Sequence, residues 1–450
     1  MHRLLASANC DPTSDNSSIM SNTSDNPLNR RTFLTRSAAA LAATSVVGFP
    51  AIVRADNEKI LKLGIVGCGG RGTGALSNAL SADKNVVLTA MGDVVRERIY
   101  TSFDNISKTK PEQVKVEEGK KFVGLDAIDQ VLASDIDVVI LTTPPGFRPA
   151  HLKKAVAAGK HTFCEKPVAV DSPGVRDVIA TAAEAKKKGL SIQSGFCWRA
   201  NYAERAMFEK IHGGAIGDVR SYYGTYLANS PWVKERKPEW TDLEWQLRNW
   251  LYFTWLSGDH LVEQAIHTVD KMAWAFKDVA PISATALGGR QQRIEEQYGM
   301  IYDHFAVSYE YPEGARGFVY CRQQAGCDNE NADEIIGADG TARINGFRKM
   351  HTITGKNTWK YDGPKNDMYQ TEHEEMFAAL RKGQPVNYGD KLAHSTLMGI
   401  MGRMSAYTGK TITWEQALNS TEVLAPKEPL TWDMKLPTPP IPMPGRTKFS

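Results

Sequence analysis

Apolar positions along this chain alternate between two spacings. Ile60 to Val66 is an apolar run of strand length, and Thr73 to Ala82 predicts a helix. Val86 to Met91 is a second strand. Asp135 to Leu141, DIDVVIL, is a third. Thr142-Thr143-Pro144-Pro145 breaks it, and Pro149 to Ala158 predicts a helix. His161 to Cys164 is a further strand that runs into Glu165-Lys166-Pro167. Such alternation predicts a parallel, doubly wound α/β sheet. Ligands bind these sheets at the carboxyl ends of the strands, where the Thr-Pro and Glu-Lys-Pro turns fall. Strand-like segments recur at 218–227, 281–288, 302–310 and 316–323, within a second domain.

The first strand ends in Gly67-Cys68-Gly69-Gly70-Arg71-Gly72, which fits G-x-G-x-x-G at 67, 69 and 72. Glycines there permit a tight turn and close backbone approach to a pyrophosphate, which the following helix N-terminus favours. Gly70 and Arg71 belong to the same candidate cofactor loop. Asp93 ends the second strand, 21 residues beyond Gly72. A carboxylate there can accept from ribose hydroxyls and repels a 2′-phosphate, so NAD is preferred. Arg96 and Arg98 lie close enough to keep NADP open.

Composition narrows the function classes. The 450 residues suffice for two domains, and net charge is +3. Residues 56–450 hold 49 basic against 48 acidic residues. No basic stripe marks a nucleic-acid partner. Six Cys include no Cys-x-x-Cys pair, so neither a zinc site nor a disulfide framework is expected. Cys321 and Cys327 could pair, but two buried thiols are the plainer reading.

Residues 1–55 form a leader. Arg30-Arg31 sit in Asn-Arg-Arg-Thr-Phe-Leu-Thr, and Ser37 to Val53 carries no charge. Val53-Arg54-Ala55 suits cleavage after Ala55. The pattern resembles a twin-arginine signal, which would engage that export machinery and place the protein in the periplasm. The run is too diluted for a stable membrane span, although retention without cleavage stays open. That route carries folded proteins, so a cofactor captured in the cytoplasm could travel inside.

The stretch TTPPGFRPAHLKKAVAAGKHTFCEKP, with the glycine turn before it, resembles the glucose–fructose oxidoreductase / inositol dehydrogenase / rhizopine-catabolism (Gfo/Idh/MocA) family. Gly-Phe-Cys-Trp-Arg at 195–199, GAIGDV at 214–219, EQAIHTVD at 263–270 and the 369–386 region extend the resemblance. It implies a Rossmann-like dinucleotide domain over 56–194 and a second α/β domain over 195–425. The second carries an open, mostly antiparallel sheet and an oligomer interface, hence a homo-oligomer. Lys166 matches a lysine beside the nicotinamide and the reacting hydroxyl. Glu165 packs near the cofactor, and Thr143 and Pro144 match the turn under the nicotinamide ribose. His267 matches the acid or base. Glu263 stands where much of the family has aspartate, which leaves its partner in doubt.

Oxidising a carbinol needs a hydride acceptor and a base. Leu261, Val262, Ala265, Ile266, Val269, Ala273 and Phe276 predict one helix over 261–276. Glu263 and His267 then share a face, where a carboxylate fixes the imidazole tautomer. Lys166 supplies charge that favours an alkoxide-like state, or takes the proton itself. A surface pair or a metal-binding pair are the rival readings of Glu263 and His267; no further ligands stand at useful spacing, and no metal is expected. Arg199, Asn201 and Asp270 are candidate substrate contacts, His151 is structural, and Glu372 to Glu375 form a solvated helix face.

Five of ten Trp fall between Trp232 and Trp255. They suit stacking on sugar C–H faces, or a packed insertion or subunit contact. Residues 426–450 form a Pro-rich tail that lies along a neighbouring subunit or moves freely. The combined reading is an NAD(P)-dependent oxidoreductase acting on a sugar, polyol or glycoside, with a tightly bound, recycled cofactor. The alternatives are a redox-neutral glycosidase, lyase or epimerase using transient oxidation, and a non-catalytic binding module.

Overall fold

The computed structural model describes residues 59–450, apart from 347 and 349. The leader and its twin arginines lie outside the described residues. Six strands form a wholly parallel sheet: β1 (Leu61–Val66), β2 (Val86–Asp93), β3 (Lys121–Val123), β4 (Val138–Leu141), β5 (His161–Cys164) and β6 (Ile192–Ser194). Their order, β3-β2-β1-β4-β5-β6, reverses direction between β1 and β4. That crevice lies beside the glycine turn, where doubly wound sheets bind ligands. Leu63, Ile65, Val138 and Ile140 are fully or almost fully buried, as expected for strands covered on both faces.

Helix α1 (Gly70–Ala82) starts three residues before its expected first turn. Gly70 to Gly72 are themselves wound into it, and Thr73 N–H donates to Gly69 O at 2.9 Å. Helices α2 (Arg96–Thr109), α3 (Arg148–Ala157) and α4 (Ser172–Lys187) flank the sheet.

The second sheet has nine strands and is mostly antiparallel. It comprises β7 (Val219–Ala228), β8 (Ser283–Gly289), β9 (His304–Glu310), β10 (Arg316–Gln323), β11 (Glu330–Gly337), β12 (Gly340–Asn345), β13 (Met350–Gly355), β14 (Trp359–Lys360) and β15 (Ile412–Thr413). Only the β7–β10 pair is parallel among its ladders. Helix α5 (Tyr202–His212) precedes it in the chain.

The helix expected over 261–276 is broken. Helix α6 (His260–Glu263) stops, and α7 (Ile266–Ala275) begins after a gap of two residues. Ala265 N–H reaches back five residues to His260 O at 3.0 Å, so the ladder slips there. Apolar burial is satisfied on both sides of the slip, which is why spacing alone did not expose it.

Helix α8 (Met368–Arg381) returns to the first domain, where Asn78 Nδ2 donates to Gln370 Oε1 at 3.0 Å on α1. Ile192 N–H then bonds Val386 O at 2.8 Å. Helix α9 (Gly389–Thr408) packs back against α4. The Pro-rich tail packs on its own chain. Gln246 Nε2 donates to Leu436 O at 2.7 Å, and Tyr302 Oη to Pro442 O at 2.8 Å. Cys68, Cys164, Cys197, Cys321 and Cys327 are free thiols, and Cys327 is half-buried rather than buried. Among the described residues no helix is long and apolar enough to cross a membrane.

Candidate active site

The glycine turn is built to receive something at its backbone. Gly67 has φ +100°, and a Cβ there would stand 2.7 Å from the Thr142 carbonyl carbon. A Cβ on Gly72 would stand 1.9 Å from Gly67 O, so the helix could not approach the strand. At Gly69 and Gly70, by contrast, a Cβ meets nothing within 4 Å. These two glycines face an open cleft of about 430 Å³. Thr143 and Pro144 line it further along, with Asp93 and Arg98. A dinucleotide fits this cradle.

Asp93 does more than the sequence suggested. Cys68 N–H donates to its Oδ2 at 2.7 Å and Val95 N–H to its Oδ1 at 2.9 Å. The carboxylate therefore clamps the glycine turn to the end of β2 while lining the cleft. Burial raises its pKa, against the pull of Arg98. Thr143 Oγ1 sits 3.2 Å from His151 Nδ1, and burial holds that imidazole down at about 4, hence neutral.

Arg71 leaves the turn to bind carboxylates. Its Nε lies 2.5 Å from Glu165 Oε1, its Nη2 3.4 Å from Glu372 Oε1, and it stacks over Tyr369. Glu165 also accepts from Lys166 N–H at 3.1 Å. One oxygen thus ties the Glu-Lys-Pro turn to the glycine turn through Arg71, and the other braces the Glu-Lys-Pro turn itself. The expected solvated face at 372–375 is only half so. Glu372 and His373 are buried because α8 packs on the first domain. Burial raises the Glu372 pKa, and Glu165 nearby adds to it.

Lys166 and Glu263 meet directly. The Lys166 ammonium donates to Glu263 O at 2.8 Å and to its Oε1 at 3.2 Å. This corrects the expectation that Glu263 orients His267. The slip between α6 and α7 removes the four-residue relation, and the carboxylate turns to the lysine. His267 Nδ1 is buried with no hydrogen-bond partner among the described residues. Its ring meets Phe196 edge-on at 6.2 Å. Burial, then the charges of Lys166, Lys271 and Arg71, push its pKa well below the ordinary value. The imidazole is therefore held neutral in these surroundings.

The three candidate substrate contacts are occupied elsewhere. Arg199 Nε pairs with both Asp270 oxygens at 2.9 and 3.0 Å, and its Nη2 with Asp278 at 2.6 Å. Asn201 caps α5 by accepting from Ala203 and Glu204 N–H. These groups satisfy one another because a buried charge without a partner is costly.

The Trp-rich segment, by contrast, belongs to the cleft. Trp232, Lys234, Leu247, Arg248 and Trp250 form the wall opposite the glycine turn. Arg248 Nη1 reaches Glu97 on α2 at 2.6 Å. Gly146 admits the Trp255 carbonyl, which a Cβ would meet at 2.1 Å. Val94, Leu125 and Phe147 of the first domain pack into the same apolar cluster. No local signal in the sequence tied this segment to the cofactor loop.

Compared with known proteins, residues 61–195 match the NAD-binding Rossmann fold of the Gfo/Idh/MocA oxidoreductase family, and residues 205–343 match that family's C-terminal domain. The chain belongs to the Gfo/Idh/MocA family. Its first domain is an NAD-binding domain. Inositol 2-dehydrogenase 3 of Saccharopolyspora erythraea is 28% identical over 222 residues, 48% of this chain and 56% of that protein. Trans-1,2-dihydrobenzene-1,2-diol dehydrogenase of Mus musculus is 26% identical over 345 residues, 72% of this Gfo/Idh/MocA chain and 89% of the relative. The chain thus spans little more than half the length of the first and most of the second. Levoglucosan dehydrogenase, solved with NADH and levoglucosan, shares the fold at TM-score 0.62 and 20% identity, over 78% of this chain and 99% of that one.

Proposed function

We propose that this protein is an NAD-dependent oxidoreductase that removes a hydride from a carbinol carbon of a sugar, polyol or glycoside. The observation that carries this reading is the Lys166–Glu263 pair at 2.8 and 3.2 Å, at the end of β5 and beside a neutral His267. The names of the relatives, which concern inositol, a dihydrodiol and levoglucosan, support a polyhydroxylated substrate. Bound NAD supplies the hydride acceptor. Glu263 holds the Lys166 ammonium in place, and that charge favours the alkoxide-like oxygen of the reacting carbon. The His267 imidazole takes the hydroxyl proton. Thr143, Pro144 and the glycine turn orient the nucleotide.

The wall formed by residues 232–250 supports a second element of the proposal, a cofactor that stays bound and is recycled. A resident cofactor would suit a protein exported after folding, and it also suits a redox-neutral glycosidase, lyase or epimerase that oxidises its substrate transiently. Export itself rests on the leader alone.

The test uses protein purified without added nucleotide, then mixed with myo-inositol, levoglucosan or D-glucose while absorbance at 340 nm is followed. Wild-type protein should carry NAD and gain absorbance with at least one probe. Lys166→Met should abolish the gain while keeping the nucleotide. A Lys166→Met protein that still reduces its NAD would sink the reading.

A further inference from the structure

The face of the nine-stranded sheet beneath α6 and α7 can be read row by row. Tyr222, Gly224, Tyr226 and Ala228 alternate onto one face of β7. Tyr222 Oη donates to Thr268 O at 3.1 Å. Gly317, opposite Tyr222, lies where a Cβ would meet Met272 Sδ at 2.2 Å. Asp333, opposite Gly224, pairs with Lys271. At the other end Gln323, opposite Ala228, donates to Gln264 Oε1. Rows 222 to 228 therefore pass under helix residues 272 to 264 in reverse order. The row between, Tyr226 with Asn331 and Cys321 opposite it, lies under the stretch that carries His267.

The flanking rows have spent their polar groups on each other. The middle row has not. Asn331 is 9% exposed, yet its Oδ1 is buried with no hydrogen-bond partner among the described residues. The Tyr226 hydroxyl makes no hydrogen bond to a described residue either. Burial, then Glu263, pushes that phenol up to about 12, so it stays protonated. Buried polar groups are nearly always paired, so an unspent row beside a reacting centre is a place for ligand atoms.

We propose that Tyr226 and Asn331 bind two hydroxyls of the substrate ring, so that this row selects polyhydroxylated rings over simple alcohols. Asn331 Oδ1 accepts from one hydroxyl, and the Tyr226 phenol donates to or accepts from another. The proposal rests on the dehydrogenase reading and names the substrate contacts of that same site. Neither residue belongs to the 195–201 or 263–270 stretches in which sequence motifs concentrate.

Steady-state rates of the NAD-loaded protein with myo-inositol and D-glucose test it, using Tyr226→Phe, Asn331→Ala and the similar-sized, apolar Asn331→Leu. Each change should raise KM about tenfold and leave kcat within about threefold, the loss of one hydrogen bond to substrate. Retained NAD should not change, which separates a substrate contact from a damaged fold. A mono-deoxy glucose should be a poorer substrate for wild type, with the penalty shrinking in the variant whose partner hydroxyl is missing. Unchanged KM and unchanged deoxy discrimination in all three would overturn the proposal and leave the dehydrogenase reading standing. Wild-type protein that oxidises neither probe sinks that reading instead. Calorimetric binding of myo-inositol that weakens in the variants would then still support the row, and no binding would overturn it.

Discussion

His373 lies fully buried, stacked on Phe163 at 4.2 Å, with both ring nitrogens unpartnered among the described residues. Burial drives its pKa down to about 3. Below about pH 6.5 an unfolded chain takes up a proton that the folded ring refuses until about pH 3. Stability from this residue is therefore complete above pH 6.5 and is lost as pH falls through the window toward 3, at about 1.4 kcal/mol per unit. His373→Phe keeps the stack and removes the titration. Denaturant melts at pH 7 and pH 5 should show the variant losing about 2 kcal/mol less than wild type across that step. Equal losses would mean that the ring charges inside the fold. The sequence run Glu372-His373-Glu374-Glu375 looked solvated because four polar residues in a row carry no sign of which side another domain covers. Glu263 was misread for a related reason. Its i, i+4 distance from His267 is a local fact, but the slip that cancels it depends on packing. The glycines, Asp93, Thr143 and Lys166 were legible because their placement follows from one strand, one turn and one helix start.

At the scale of elements, the eight strands read from the sequence stand within a few residues of their expected places, whereas β3, β6 and β11 to β15 were not read, being short or too polar to stand out as apolar runs. The segment from Trp232 to Trp255 was not readable as a cofactor wall. Its apolar residues say that it packs, and only the tertiary fold says against what. Trp245 and Trp255 are buried in its own cluster, while Trp232 and Trp250 face the cleft. Arg248 and Glu97 join the wall to α2, and Glu97 is largely exposed, so the pair fastens without deep burial. Arg248→Met should speed release of bound NAD by up to about fivefold, the scale of an exposed ion pair. Nucleotide retained after timed gel filtration checks this. Release no faster than wild type would leave the apolar contacts as the whole fastening.

For the whole molecule, the chain order hides a mutual embrace. The parallel sheet comes first and the nine-stranded sheet second, but α8 and Val386 return to the first domain, and α9 packs on α4. A boundary near residue 194 therefore divides the sequence more cleanly than it divides the packing. The tail adds a second return, since Leu430, Met434 and Leu436 pack on the cluster that walls the cofactor cleft. That enclosure bears on how the protein would keep time. If the proposed retention holds, a nucleotide kept behind residues 232–250 through many turnovers would make the protein alternate between two stable chemical forms, one charged with reducing equivalents and one empty of them. Each form would remember the last carbohydrate it met. Rates measured with a donor and an acceptor sugar varied together should give parallel double-reciprocal lines. Intersecting lines would mean that both sugars bind before either product leaves, or that the nucleotide departs in every cycle.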